Sequence, residues 1–374
     1  MKIGIFGGSF DPVHNEHIKL AEIIINEFSL DKLIICPAFI PPHKIGQTLS
    51  DFDDRYNMLK LAFKDCDKVE ISDFEKVSKG TSYTYLTIEH FKNVYKDSEF
   101  YFLVGTDMLL DFPTWKNPDK ILHSASLIVT SRAGEDQKKA IENYYDHFSK
   151  KILFSSYNGT NLSSTKIKTY IKLSIDTTEF LPSQILEYIE KKALYKSNNY
   201  YIHVKNELPQ KRLRHTANVI VCAIKLAKMI GVDTKKAELA SLLHDVAKYK
   251  STKDFPNFKI PSFIPKEIPD KVMHQFLGAY VAEEILNIKD EDILNAIRFH
   301  TTGRAHMSDL EKVVFIADLI EEDRNYPHVD EIRQNVFKNF HEGFSFAVTK
   351  LVEFLGNTSE EIYPLTTECQ KYYN

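Results

Sequence analysis

The sequence predicts two folds in series: a doubly wound parallel α/β sheet over residues 1–196, then an all-α bundle over 200–374. Three observations carry this. The length of 374 residues exceeds a usual single domain. Up to residue 195, β-rich runs alternate with helical patterns, the rhythm of βα units. Beyond it the strand runs stop and helical periodicity continues almost to the end.

The strand candidates are "KIGIF", "KLIICPA", "KVEISDF", "EFYFLVG", "SLIVTS" and "KILFSS". Between them lie amphipathic stretches such as "RYNMLKLAF" and "TYLTIEHFKNVY"; in the former, Met58, Leu59, Ala62 and Phe63 recur at helical spacing. A linker is expected near 196–199. In 212–230, Val219, Ala223, Leu226, Ala227 and Ile230 fall on one helix face, and Gly231 supplies a stop. Ser308 and Glu311 form a capping box that opens "LEKVVFIADLIEE".

Lys+Arg 48 against Asp+Glu 52, net −4, leaves no broad basic surface, which argues against nucleic acid as a partner. The absence of a signal-like stretch and of any long apolar run argues against membranes and for the cytoplasm. Four scattered cysteines suggest neither zinc nor disulfides. Oligomerisation stays open.

"GGSFDPVHNEH" follows the first strand and leads into a helix. In open parallel sheets ligands bind beyond the C-terminal strand ends, and a helix start offers N–H groups to an anion. Gly7 and Gly8 allow close backbone approach, with Ser9 and Phe10 completing the turn, and His14 and His17 share a face at the helix entry. "PAFIPPHK" brings His43 and Lys44 to the same edge, and "NLSSTKIK" places hydroxyls and Lys168 at another helix start. Small-molecule nucleotides are therefore the expected partners.

These residues resemble the nicotinate-nucleotide adenylyltransferases of the nucleotidyltransferase superfamily, a Rossmann-like fold, over nearly all of residues 1–195. "GGSFDPVHNEH" is similar to that family's G-G-[ST]-F-D-P-x-H-x-G-H; "PPHK", "SYTYLTIEHF", "LVGTDMLLDFPTWK" and "LSSTKIK" match its other signatures. The resemblance implies joining of ATP and nicotinate mononucleotide into deamido-NAD and pyrophosphate. His14, His17 and Lys44 would meet the ATP phosphates, with Ser164, Thr165 and Lys168 closing over them and Mg2+ arriving with ATP. Ser82, Tyr83, Thr84 and Asp107 would line the nicotinate pocket. Trp115 would stack on the ring or serve as a core anchor. Two positions depart from the pattern: Glu16 replaces a glycine, putting a carboxylate near the phosphates, and Lys168 replaces an arginine. The amide mononucleotide and phosphopantetheine are the rival substrates.

In the second half, His215, the pair His244 and Asp245, His274, His300 and Asp318 sit in five otherwise apolar helical segments. A carboxylate inside such a stripe costs several kcal/mol unless paired or bound to metal, so metal ligation is expected. This half resembles the HD-domain metallophosphohydrolases, with the full ligand order of a two-metal site. That implies divalent transition metals, iron first and manganese or zinc as alternatives, with Asp245 bridging them. "HDVAK" and "DLIEEDR" are similar to the subgroup that cleaves diadenosine tetraphosphate to two ADP, with Lys248 and Arg324 on the phosphates. A hydrolase of another nucleotide, such as a guanosine polyphosphate, and a metal-stabilised sensing module are the rivals.

Overall fold

Six strands form one sheet: β1 (Lys2–Gly8), β2 (Lys32–Pro37), β3 (Val69–Ile71), β4 (Glu99–Gly105), β5 (Ser126–Arg132) and β6 (Leu153–Gly159). In this computed structural model, which describes residues 1–374 except 41–48, 79–81, 133–136, 263, 266 and 358–361, their order is β3-β2-β1-β4-β5-β6. Every neighbouring pair is parallel. Each expected strand is present. The central ones are nearly continuous apolar runs, as a sheet covered on both faces requires; Ile3, Ile5, Leu33, Ile34 and Ile35 are fully buried. Chain order reverses between β1 and β4, which opens a crevice at their C-terminal ends.

The chain divides into two compact units, residues 1–168 with 177–195 and residues 169–176 with 196–374. Among its described residues the second unit contains helices and no strand. Its first long helix, Asn199–Glu207, starts inside the expected linker because Asn198 caps it, accepting from the Tyr201 N–H at 3.1 Å. The Gln210–Ile230 helix buries Val219, Ala223, Leu226 and Ala227 and ends at Gly231 with φ 76°. No helix of the described residues is long and apolar enough to cross a membrane.

The Asp309–Ile320 helix opens on the expected capping box: Ser308 Oγ accepts from Glu311 N and Glu311 Oε1 accepts from Ser308 N, both at 3.1 Å. Glu311 is also gripped by Arg304 through two 2.7 Å hydrogen bonds. The C-terminal stretch, on which the sequence is silent, forms the Pro364–Tyr373 helix and buries Leu365, Thr366 and Cys369. Burial pushes the thiols of Cys222 and Cys369 up to about 12, consistent with inert cysteines.

Ser308→Ala removes one half of the reciprocal cap and should cost about 1 kcal/mol. Urea unfolding of the full chain measures it; an unchanged midpoint contradicts the cap's contribution.

Candidate functional site

The loop leaving β1 is fixed by its own sterics before any ligand is considered. A Cβ at Gly8 would lie 2.9 Å from the Phe10 ring and force that ring to shift, whereas at Gly7 the nearest atom would be an ordinary 3.7 Å away. Phe10 itself has φ 48° and is 2 % exposed, with its ring edge against Phe6 and His17. His14 caps the Asn15–Glu27 helix and stacks on His17 at 3.7 Å between centroids. The His14 backbone N–H donates to His17 Nδ1 at 3.3 Å, which places the His17 ring proton on Nε2.

Several side chains hold this loop from outside. Arg55, 1 % exposed, donates to the Ser9 carbonyl at 2.8 Å and to the Ser50 carbonyl at 3.0 Å. The Ser164 hydroxyl donates to the Pro12 carbonyl at 2.9 Å, from the start of the Ser164–Lys172 helix, with Thr165 next in line. Asp11, 2 % exposed, accepts from Lys168 Nζ and from the Tyr195 hydroxyl, both at 2.8 Å. Burial works against the Asp11 carboxylate, but the Lys168 charge and these hydrogen bonds hold its pKa below the ordinary value. Lys168 is thus paired within the protein. Glu16, in the first turn of the Asn15–Glu27 helix, accepts from the Tyr157 hydroxyl at 2.5 Å and from the Thr160 N–H at 3.1 Å at the end of β6.

The expected nicotinate residues lie around other strand ends. Ser82 Oγ accepts from the Phe39 and Ile40 N–H groups at 2.9 and 3.2 Å, tying the segment before the Thr84–Val94 helix to the loop after β2. Tyr83 caps that helix and Thr84 begins it. Buried Glu75 accepts from Thr87 at 3.0 Å, and burial raises its pKa. Asp107, two residues past the end of β4, accepts from the Met108 N–H at 2.8 Å. Trp115 is half-buried, 5.3 Å from Phe112 and 6.2 Å from Phe102 between centroids, and so packs on the core. His43 and Lys44 lie outside the described residues.

In the second unit all six candidate ligands converge. His215, His274 and Asp318 are helical as expected, but His244 and His300 sit in turns just past the Thr234–Leu243 and Glu291–Arg298 helices. The reason is local: the last carbonyls of a helix lack intrahelical partners. His244 Nδ1 meets the Ser241 carbonyl at 2.7 Å, and His300 Nδ1 meets that of Ile297 at 2.8 Å. Both rings are thereby fixed with Nε2 as the acceptor. His215 Nδ1 is set by Glu321 Oε1 at 3.1 Å.

Asp245 lies at the centre, 2 % exposed. Its Oδ2 is 3.4 Å from His244 Nε2 and 3.8 Å from His215 Nε2; its Oδ1 is 3.2 Å from His274 Nε2 and 3.6 Å from His300 Nε2. Asp318 Oδ1 is 3.1 Å from His215 Nε2. Three cations border the cluster. Arg212 reaches Asp245 Oδ2 at 2.9 Å, Lys248 lies 3.0 Å from His274 Nε2, and Arg324 pairs with Asp318.

The donor set suits a divalent metal. His215, His244 and Asp318 form one group with ligand atoms within 4.8 Å of one another, and His244, Asp245 and His300 form a second. The buried Asp245 Oδ1 has no hydrogen-bond donor. Asp245 and Asp318 stay well below the usual carboxylate range despite burial, Asp318 through His215 and Arg324. Burial lowers His244 and takes His274 down to about 4, leaving neutral imidazoles at pH 7.

Arg55, Glu75, Tyr195, Arg212 and Glu321 escaped the sequence reading. The available signal was charge out of place: Arg55 sits three and four residues before the core residues Met58 and Leu59.

Residues 5–170 match the cytidylyltransferase-like family and residues 212–323 the HD domain. A Clostridium tetani protein named probable nicotinate-nucleotide adenylyltransferase is 41% identical over 201 residues, 52% of this chain and 99% of that protein. A Mycoplasma genitalium protein named probable nicotinate-nucleotide adenylyltransferase/Ap4A hydrolase is 30% identical over 324 residues, 86% of this chain and 88% of that protein. Among solved structures, a predicted HD superfamily hydrolase involved in NAD metabolism from Clostridium acetobutylicum aligns with 31% identity and TM-score 0.43, covering 46% of this chain and 93% of that one. With the sheet, the loop and the histidine cluster in place, the two family matches and the Mycoplasma genitalium relative assign the chain to the nicotinate-nucleotide adenylyltransferase family, in the form that continues into an HD domain.

Proposed function

We propose that the chain is a bifunctional cytoplasmic enzyme of small nucleotides: residues 1–196 join ATP and nicotinate mononucleotide into deamido-NAD and pyrophosphate, and residues 200–374 hydrolyse diadenosine tetraphosphate to two ADP. The observation supporting the first activity is the convergence of the Gly7–Phe10 turn, His14, His17, Ser164 and Asp107 around the crevice-side ends of β1 and β4. The attacking group of this reaction is already a phosphate, so the protein needs to position and neutralise charge rather than supply a nucleophile. His17 Nε2–H and the N–H groups at the start of the Asn15–Glu27 helix serve that end, with Mg2+ arriving on the nucleotide. Ser82, Tyr83, Thr84, Asp107 and Trp115 border the nicotinate side.

The second activity rests on Asp245, whose two oxygens face different histidines. His215, His244 and Asp318 would hold one metal and His274 and His300 the other, with Asp245 shared and iron the first choice over manganese or zinc. Bound metal supplies Lewis acidity at phosphorus. Lys248 and Arg324 flank the cluster from two sides, a charge arrangement suited to holding a polyphosphate across it.

His17→Ala should lower adenylyl transfer by about 10²–10³, as loss of one transition-state charge partner does, and nicotinate mononucleotide should exceed its amide in kcat/KM. Steady-state assays with both mononucleotides test this. Wild-type transfer in the variant removes His17 from the site, and equal or reversed efficiencies favour the amide rival.

Elemental analysis and product chromatography test the other half. Asp245→Ala should lose all metal, His274→Ala one of two ions, and Glu321→Ala about 10–100-fold in metal affinity by freeing the His215 ring. Metal-replete wild type should give ADP alone; ATP with AMP refutes symmetric cleavage, and no turnover supports a sensing module.

A further inference from the structure

One charged group of the glycine-rich loop, Asp11, is buried. Asp11 is 2 % exposed, lies three residues before His14 and is bonded at both oxygens: Oδ2 to Lys168 and Oδ1 to Tyr195, each at 2.8 Å. Ser50 adds a further hydrogen bond, and Arg55, which holds the neighbouring Ser9 carbonyl, contributes favourable charge. The loop thus carries a buried carboxylate beside a proposed polyanion site, a repulsive arrangement unless that carboxylate is neutralised.

Tyr195 reaches Asp11 from 184 residues away. The Ser183–Lys192 helix ends at Ala193 with φ 50°, and Tyr195 follows with φ 56°. Left-handed backbone at a bulky residue is costly and persists only where surrounding contacts impose it. The chain adopts it twice in three residues, and the second instance aims the Tyr195 hydroxyl at Asp11.

We propose that Tyr195 and Lys168 are positioning residues for ATP, acting through Asp11 as a clamp that sets the Gly7–His17 loop. This rests on reading that loop as the ATP phosphate site, and it gives Lys168 an indirect role in place of a phosphate contact. The Lys168 ammonium cancels the Asp11 charge; the Tyr195 hydroxyl fixes the second oxygen. His14 and the helix start are held in register as a consequence.

A double-mutant cycle on the full chain tests the clamp, with ATP binding measured by calorimetry alongside transfer kinetics. Tyr195→Phe should raise Kd and KM for ATP about tenfold, the usual scale for losing a hydrogen bond to a charged group. KM for nicotinate mononucleotide should hold, and the melting midpoint should fall only as far as one lost partner of a buried carboxylate requires, leaving the chain folded at assay temperature. In an Asp11→Asn background, Tyr195→Phe and Lys168→Met should add little further, because the atom they act on has changed. Lys168→Arg should restore affinity. Fully additive effects, or an unchanged Kd in Tyr195→Phe, overturn the proposal. Wild type that binds ATP without transfer sinks the assigned reaction and leaves the clamp testable by Kd; wild type that does not bind ATP sinks both.

Discussion

An ionised carboxylate removed from water is expensive unless its surroundings replace the lost hydration, and each unit of this protein is built around one. Asp11 in the first and Asp245 in the second are both 2 % exposed. Each meets a cation distant in sequence, Lys168 with the Tyr195 hydroxyl for Asp11 and Arg212 for Asp245. The compensation locks loops and helices whose packing alone would leave freedom at the site. Removing one partner from such a group exposes the full desolvation cost, so site and fold are not separable in either unit.

The two solutions differ in chemistry. Around Asp11 the partners are an ammonium and a hydroxyl, which neutralise and hold. Around Asp245 the neighbours are an arginine and several imidazoles, and burial lowers the pKa of His244 and His274, leaving ligands that suit a metal better than a proton. Helix ends prepare them: the Ser241 and Ile297 carbonyls orient His244 and His300, while Glu321 orients His215. A backbone feature that every helix possesses is thus used to set ligand geometry.

Much of this was legible in the sequence. All six strands, the helical second half and the Ser308 cap followed from apolar runs, periodicity and capping chemistry. The six histidine and aspartate positions stood out because polar groups in apolar stripes demand compensation. What could not be read was partnership across the chain. Lys168 stands out as charge at a helix start that suits anions, but its pairing with a carboxylate 157 residues earlier has no local signature. The same holds for Glu16 with Tyr157 and Thr160. The turn positions of His244 and His300 escaped because periodicity fixes helix existence better than helix ends.

The central claim is that one buried carboxylate organises each activity, and it is tested most directly by assaying both reactions in full-length Asp11→Asn and Asp245→Asn. The account predicts a double dissociation: adenylyl transfer falls only in Asp11→Asn, and metal-dependent hydrolysis falls only in Asp245→Asn. If each lesion lowers both activities alike, or leaves its own unchanged, the account is contradicted.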